Sequence, residues 1–207
     1  MTGINILEPP SAVDRIFGAV VEAQTWRNVL YLALAFPLGL VYFVFTVTGI
    51  SVGAGLAIIA VGIPILVFTL MTVGLFGRLE RMLLRGLLGA RIREPRPFVA
   101  PPGILEALKA YLRRAETWKT VIYSLVHFPF GVVAFGLVMA FMPASLVLLV
   151  TPLTYTLLPV NICDIRVISL DQAVLCSSIG AILLLVGLHV MNGWAMLWKR
   201  VGGALLE

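Results

Sequence analysis

The sequence predicts an all-α integral membrane protein, with four transmembrane helices forming two similar helical-hairpin repeats, cytoplasmic amphipathic helices and a small extracytoplasmic cap. Three observations carry this. The 207-residue chain is 60% hydrophobic and 12% charged, with a mean hydropathy of +1.05, against about 25% charge in an ordinary soluble domain. Residues 28–77 contain no Asp, Glu, Lys or Arg, which is length enough for two spans of roughly 20–25 residues. A motif also recurs: Thr25, Trp26, Val29, Tyr31, Phe36, Pro37, Gly39, Val41 and Phe43 each meet an identical residue 92 positions later, nine matches in twenty between 25–44 and 117–136.

Apolar composition can align Leu or Val by chance, but not Trp, Tyr, Pro and Gly together. The match extends backwards, with Asp14 on Glu106, Ile16 on Leu108 and Val20 on Leu112. The chain therefore reads as one membrane domain over 1–207. Repeat one covers about 11–92, repeat two about 103–207, and an outer loop or cap about 143–172. No stretch of even ~50 residues remains for a separate soluble domain.

Taken in order, Val13, Ile16, Phe17 and Val20 recur at helical spacing among Asp14, Arg15 and Glu22, the pattern of a helix lying in the interface over 11–24. Pro9 and Pro10 precede it and Ser11 suits its N-cap. Residues 1–10 lack the basic segment and apolar run of a cleavable signal peptide. The first span is expected over 27–47 and the second over 51–75, with a turn at 46–51 around Gly49. Pro37 releases the carbonyl of Ala33 and predicts a kink. Gly53, Gly55 and Gly62 suit close helix approach.

Residues 78–96 bring Arg78, Arg81, Arg85, Arg91, Arg93 and Arg96 against Glu80 and Glu94, with Leu79, Met82, Leu83 and Leu87 as an apolar face. This predicts a juxtamembrane amphipathic helix. Pro95, Pro97, Pro101 and Pro102 then make an extended linker, and a second surface helix is expected over 103–116. Fourteen of the fifteen Lys and Arg residues lie before Val29, within 78–119, or at Lys199 and Arg200. The positive-inside rule places these on one side, so an even number of spans separates Lys119 from Lys199. The third and fourth spans fall at 118–142 and 173–198, with both termini cytoplasmic in a plasma membrane. Residues 144–158 extend the third helix, lie along the outer interface or re-enter, and 160–170 alternates enough for a short strand pair.

Candidate ligand-binding residues are Phe36, Pro37, Phe128, Pro129, His127 and His189. The two histidines share a depth in their spans and, facing each other, could ligate a haem iron or a metal or share a proton in a pH-sensitive pair; otherwise each bonds a carbonyl or hydroxyl freed by a helix break. Cys163 and Cys176 either form an outer disulfide or are two free thiols. Arg78, Arg81, Arg85, Arg113 and Arg114 offer a surface to anionic lipid or a partner, or simply a solvated positive-inside face. Trp26, Tyr31, Trp118, Tyr123, Trp194 and Trp198 form an aromatic belt. The net charge of +5 flanks the spans, so nucleic acid is not an expected partner. No phosphate loop, His-Glu-x-x-His, Gly-x-Ser-x-Gly or carboxylate within a span is read, so no enzyme activity, no metal and no cofactor beyond that haem is expected.

At Thr-Trp-(Arg/Lys)-x-x-x-Tyr and Phe-Pro-x-Gly the chain resembles the putative sensor domain family of archaea and actinobacteria, free-standing or ahead of a histidine kinase. LALAFPLGLVYFVFTVTG at 32–49 and GRLERMLLRGLLGARI at 77–92 carry the likeness, echoed by Arg200 and Gly202. The resemblance covers about 24–206. It implies a four-span sensing module but no functional residue. Its departure is at the end, Glu207, with no kinase output following, so either the output module is a separate protein or this is an excised or free-standing domain. The expectation is a non-catalytic sensor or signalling module. It would relay a lipophilic or extracytoplasmic signal to a separate histidine kinase or another cytoplasmic or membrane partner, with membrane lipids or a second copy of the chain as further partners. The alternatives are a transporter or lipid-handling subunit, and a bis-histidine haem-binding electron carrier.

Overall fold

The protein, seen in a computed structural model, is described at residues 20, 22–92, 99, 101–154, 161–162, 165–166 and 169–206. Most of the helix expected over 11–24 and much of the proline linker lie outside these residues. The elements are α1 (Ala23–Gly55), a 3-10 turn (Leu56–Ile59), α2 (Gly62–Gly86), α3 (Ile104–Arg113), α4 (Ala115–Thr154), β1 (Asn161–Ile162), β2 (Ile165–Arg166) and α5 (Leu170–Leu206). Four stretches are long and apolar enough to cross a membrane: Ala23–Ile59, Gly62–Gly86, Ala115–Thr154 and Leu170–Leu206. Their outward faces carry large apolar side chains such as Val41, Phe68, Met71, Val133 and Ile182, a surface suited to lipid.

Each boundary that differs from the sequence reading has a local cause. The first turn lies not at Gly49 but after Gly55, where Ala60 takes φ 60° and its N–H bonds the carbonyl of Ala57. Gly49 sits inside α1, and a Cβ there would lie 2.5 Å from the Thr69 side chain. Its smallness serves close packing on α2 and not a reversal. The basic stretch after residue 77 is likewise no separate helix: α2 runs unbroken to Gly86 and includes Arg78, Arg81 and Arg85. The chain then turns through Gly89 at φ 60°, with Ala90 N–H bonding Leu84 O at 3.0 Å. Arg85 staples this turn, donating through Nε at 3.0 Å and Nη2 at 2.6 Å to Ile92 O.

Pro143 does not end the third span. Of the three courses left open for 144–158, the helix extension is observed over 144–154, since α4 continues through Pro143 and Pro152 to Thr154; 155–158 lie outside the described residues. The cap expected over 143–172 thus begins no earlier than residue 155. Within it, β1 and β2 pair antiparallel, Asn161 with Arg166 and Ile162 with Ile165.

The chain divides into two compact units, Met1–Trp26 with Ala140–Val190, and Arg27–Met139 with Met191–Glu207. In the first, α4 and α5 meet along small residues. Ala173, Gly180 and Gly187, seven residues apart, are all buried. A Cβ on Gly180 would lie 2.7 Å from Leu148 Cβ and one on Gly187 2.7 Å from Phe141 Cβ, so only glycine allows this approach. In the second unit, Leu70, Val73, Leu108 and Val121 form an apolar core joining α2, α3 and α4.

Candidate functional site

In the second unit, helices α1 and α4 cross at the two Phe-Pro-x-Gly stretches. A Cβ on Gly39 would lie 3.0 Å from the His127 carbonyl and 3.0 Å from Phe128 Cα; one on Gly131 would lie 2.5 Å from the Ala35 carbonyl and 2.9 Å from Phe36 Cα. Each glycine therefore receives the pair of positions that corresponds, 92 residues away, to the pair receiving the other. The same spacing relates two local bonds: Trp26 Nε1 donates to Val20 O and Trp118 Nε1 to Leu112 O, both at 2.9 Å. Phe36 and Phe128 meet with ring centroids 6.4 Å apart, and Phe43 stacks on Phe128 at 4.9 Å. Pro37 and Pro129 are exposed on their helices.

The close crossing brings polar side chains together around one carboxylate. Glu80 has 0% exposure. Tyr31 donates to its Oε1, and Tyr42 to its Oε2 at 3.4 Å. His127, also at 0% exposure, places Nδ1 3.9 Å from Glu80 Oε1, and neither of its ring nitrogens has a hydrogen-bond partner. Tyr123, the counterpart of Tyr31, accepts a bond from Trp198 Nε1 at 3.2 Å. Aromatic rings wall the group: His127 lies 5.6 Å from Tyr42, 5.4 Å from Tyr123 and 5.3 Å from Trp198, and Trp198 stacks on Phe130 at 3.9 Å. Four helices thus converge on one acid.

Glu80 stands on a helix, Gly62–Gly86, long and apolar enough to cross a membrane, where the sequence reading places no carboxylate. The uncharged run that sets the second span at 51–75 ends before it. Yet the buried positions of α2, among them Thr69, Val73, Gly77, Glu80 and Leu84, recur three or four residues apart. That periodicity marks Glu80 as core-facing once the helix is drawn to Gly86. A carboxylate taken from water into such a site costs several kcal/mol (about 3–5 when a partner is lost) unless it is paired and hydrogen-bonded. The tyrosine donors and the imidazole supply that compensation. Glu80 and His127 are both groups that can carry a proton, and they face each other with Nδ1 3.9 Å from Oε1.

Of the other candidate residues, His189 is exposed, with Nδ1 2.8 Å from the Leu185 carbonyl of its own helix, so the buried cluster holds His127 alone. Of the two readings of the cysteines, the free thiol is observed at Cys176; Cys163 lies outside the described residues. Arg81 is only 8% exposed and donates to Leu206 O through Nη2 at 3.0 Å and Nε at 3.3 Å. Arg113 is exposed at the end of α3, while Arg114 pairs with Glu116. Among the described residues no group of three His, Cys, Asp or Glu side chains could hold a metal ion.

A family model described as Putative sensor matches residues 31–206. No curated protein and no solved structure matches the chain.

Proposed function

The chain belongs to the Putative sensor family, and from that premise we propose that it is a non-catalytic membrane sensor whose two-state element is the buried Glu80 cluster. It relays a lipophilic or extracytoplasmic signal to a cytoplasmic or membrane partner, from a plasma membrane in which both termini face the cytoplasm. The observation that carries this reading is a fully buried carboxylate inside a span, contacted by Tyr31 and Tyr42 from α1 and faced by His127 from α4. An ionisable side chain fully buried on a helix that could cross a membrane is expensive to hold and is a functional candidate by default.

The two proton positions make different demands. As a carboxylate Glu80 only accepts, from Tyr31 and Tyr42; as an acid it also has a proton to donate, which His127 Nδ1 can accept by closing the 3.9 Å gap from Oε1. A signal that favours one spacing of α1, α2 and α4 therefore favours one proton position, and the reverse holds by linkage. The reciprocal glycine contacts and paired Trp bonds, 92 residues apart, support reading α1 and α4 as equivalent members of two similar halves.

The test is a distance distribution. Spin labels at Met82→Cys on α2 and Ile122→Cys on α4, both exposed positions, are introduced with Cys163→Ser and Cys176→Ser and measured by pulsed electron resonance in bilayers. Glu80→Gln fixes the neutral form and is expected to shift or narrow the distribution. An identical distribution in both proteins would contradict a two-state role for this cluster.

A further inference from the structure

Beside the buried cluster, and independent of it, α2 and the chain around the α3–α4 junction enclose a groove of about 290 Å³. It has two chemically different ends. Leu70, Met71, Val73 and Leu75 of α2 line it toward one end and Arg78 and Arg81 of the same helix toward the other, with Tyr111, Arg114, Thr117 and Thr120 completing the wall. On a helix rising ~1.5 Å per residue, the apolar lining of α2 lies one to two turns from Arg78 and Arg81. Met71 and Leu75 are 55% and 49% exposed, so the apolar end is continuous with the outer helix surface.

Among the described residues the basic end has more cations than carboxylates. Three guanidinium groups line it against one carboxylate, Glu116, which pairs with Arg114. Arg81 is 8% exposed, and the acceptor its Nε and Nη2 share is the neutral carbonyl of Leu206. Guanidinium forks match phosphate oxygens. The volume is near the lower end for small-molecule sites, about 300 Å³. That suits a head group and the first carbons of a chain, not a whole lipid. We propose that this groove binds the phosphate head group of an anionic membrane lipid, with its acyl chains running out over Met71 and Leu75.

Gly74 supplies a clean test. It lines the groove, and a Cβ built on it meets nothing within 4 Å, so Gly74→Leu fills the space without altering charge or straining the backbone. Native mass spectrometry of the full chain, titrated with phosphatidylglycerol, is expected to show one retained lipid on the wild type. Phosphatidylcholine should not be retained. Arg78→Gln should weaken retention by about tenfold or more, as loss of a charge-assisted contact does, and Gly74→Leu should abolish it. Arg113→Gln and Lys119→Gln, exposed positions outside the groove, should leave it unchanged. Inorganic phosphate provides the other arm: displacement of the lipid by phosphate at comparable concentration would make the ligand a soluble anion and overturn the lipid assignment. Equal loss in Arg113→Gln, retention in Gly74→Leu, or retention of phosphatidylcholine would overturn the site.

Discussion

Glu80→Ala is expected to lower the unfolding free energy in detergent by about 3–5 kcal/mol, the cost of removing one member of a buried pair and stranding the other. The alanine leaves three groups without their counterpart. Tyr31 and Tyr42 lose the acceptor they share, and His127, already without a hydrogen bond at either ring nitrogen, loses the carboxylate that faces it. Glu80→Gln keeps the volume and one carbonyl oxygen, so its cost should be smaller, about 1–2 kcal/mol. Thermal unfolding followed by circular dichroism ranks the two. Equal stability of Glu80→Ala and the wild type would mean that the carboxylate reaches water.

The second large effect lies at the helix crossing. Gly131→Ala should destabilise by about 3 kcal/mol, the upper part of the usual overpacking range. The added Cβ would sit 2.5 Å from the Ala35 carbonyl oxygen and 2.8 Å from its carbon. Those are helix backbone atoms, which cannot swing aside as a side chain would, so the helices must separate and loosen the cluster beside them. Gly136 is the control. A Cβ there meets nothing within 4 Å, so Gly136→Ala should be neutral or stabilise by up to ~1 kcal/mol through helix propensity. The contrast between two glycines on one helix, read by the same unfolding experiment, separates packing from propensity.

The number of long apolar helices was legible because it depends on apolar length and on where charge falls. Their ends were less so. Gly49 looks like a turn residue in a list of residues, but the same absent side chain permits either a reversal or a close approach, and only the neighbouring Thr69 decides between them. Pro143 was read as a break, yet a helix already longer than one span absorbs it. Rotational phase was the harder loss. When a helix is apolar on every side, hydrophobicity no longer tells which face is inside. His127 and His189 have comparable depth along their spans, which sequence position gives. Their faces differ: Gly187, Leu188, Met191, Ala195 and Trp198 are buried positions near His189, and the histidine itself is exposed. Glu80 was hidden by the opposite error, a charge taken as the end of a span when it stood on the buried face. The repeated Tyr31 and Tyr123 were visible as a pair, but read as belt aromatics and not as groups gathered near an acid.

The placement of His127 against Glu80 is what the account rests on, and solid-state NMR in bilayers measures it directly. With protein labelled at Glu carboxyl carbons and His ring nitrogens, the chain's two histidines give few signals to assign. The 3.9 Å separation of His127 Nδ1 from Glu80 Oε1 should give a Glu–His dipolar cross peak that persists in His189→Gln and disappears in Glu80→Gln. Absence of that peak in the wild type, or its survival in Glu80→Gln, would contradict the buried cluster and the sensing role built on it.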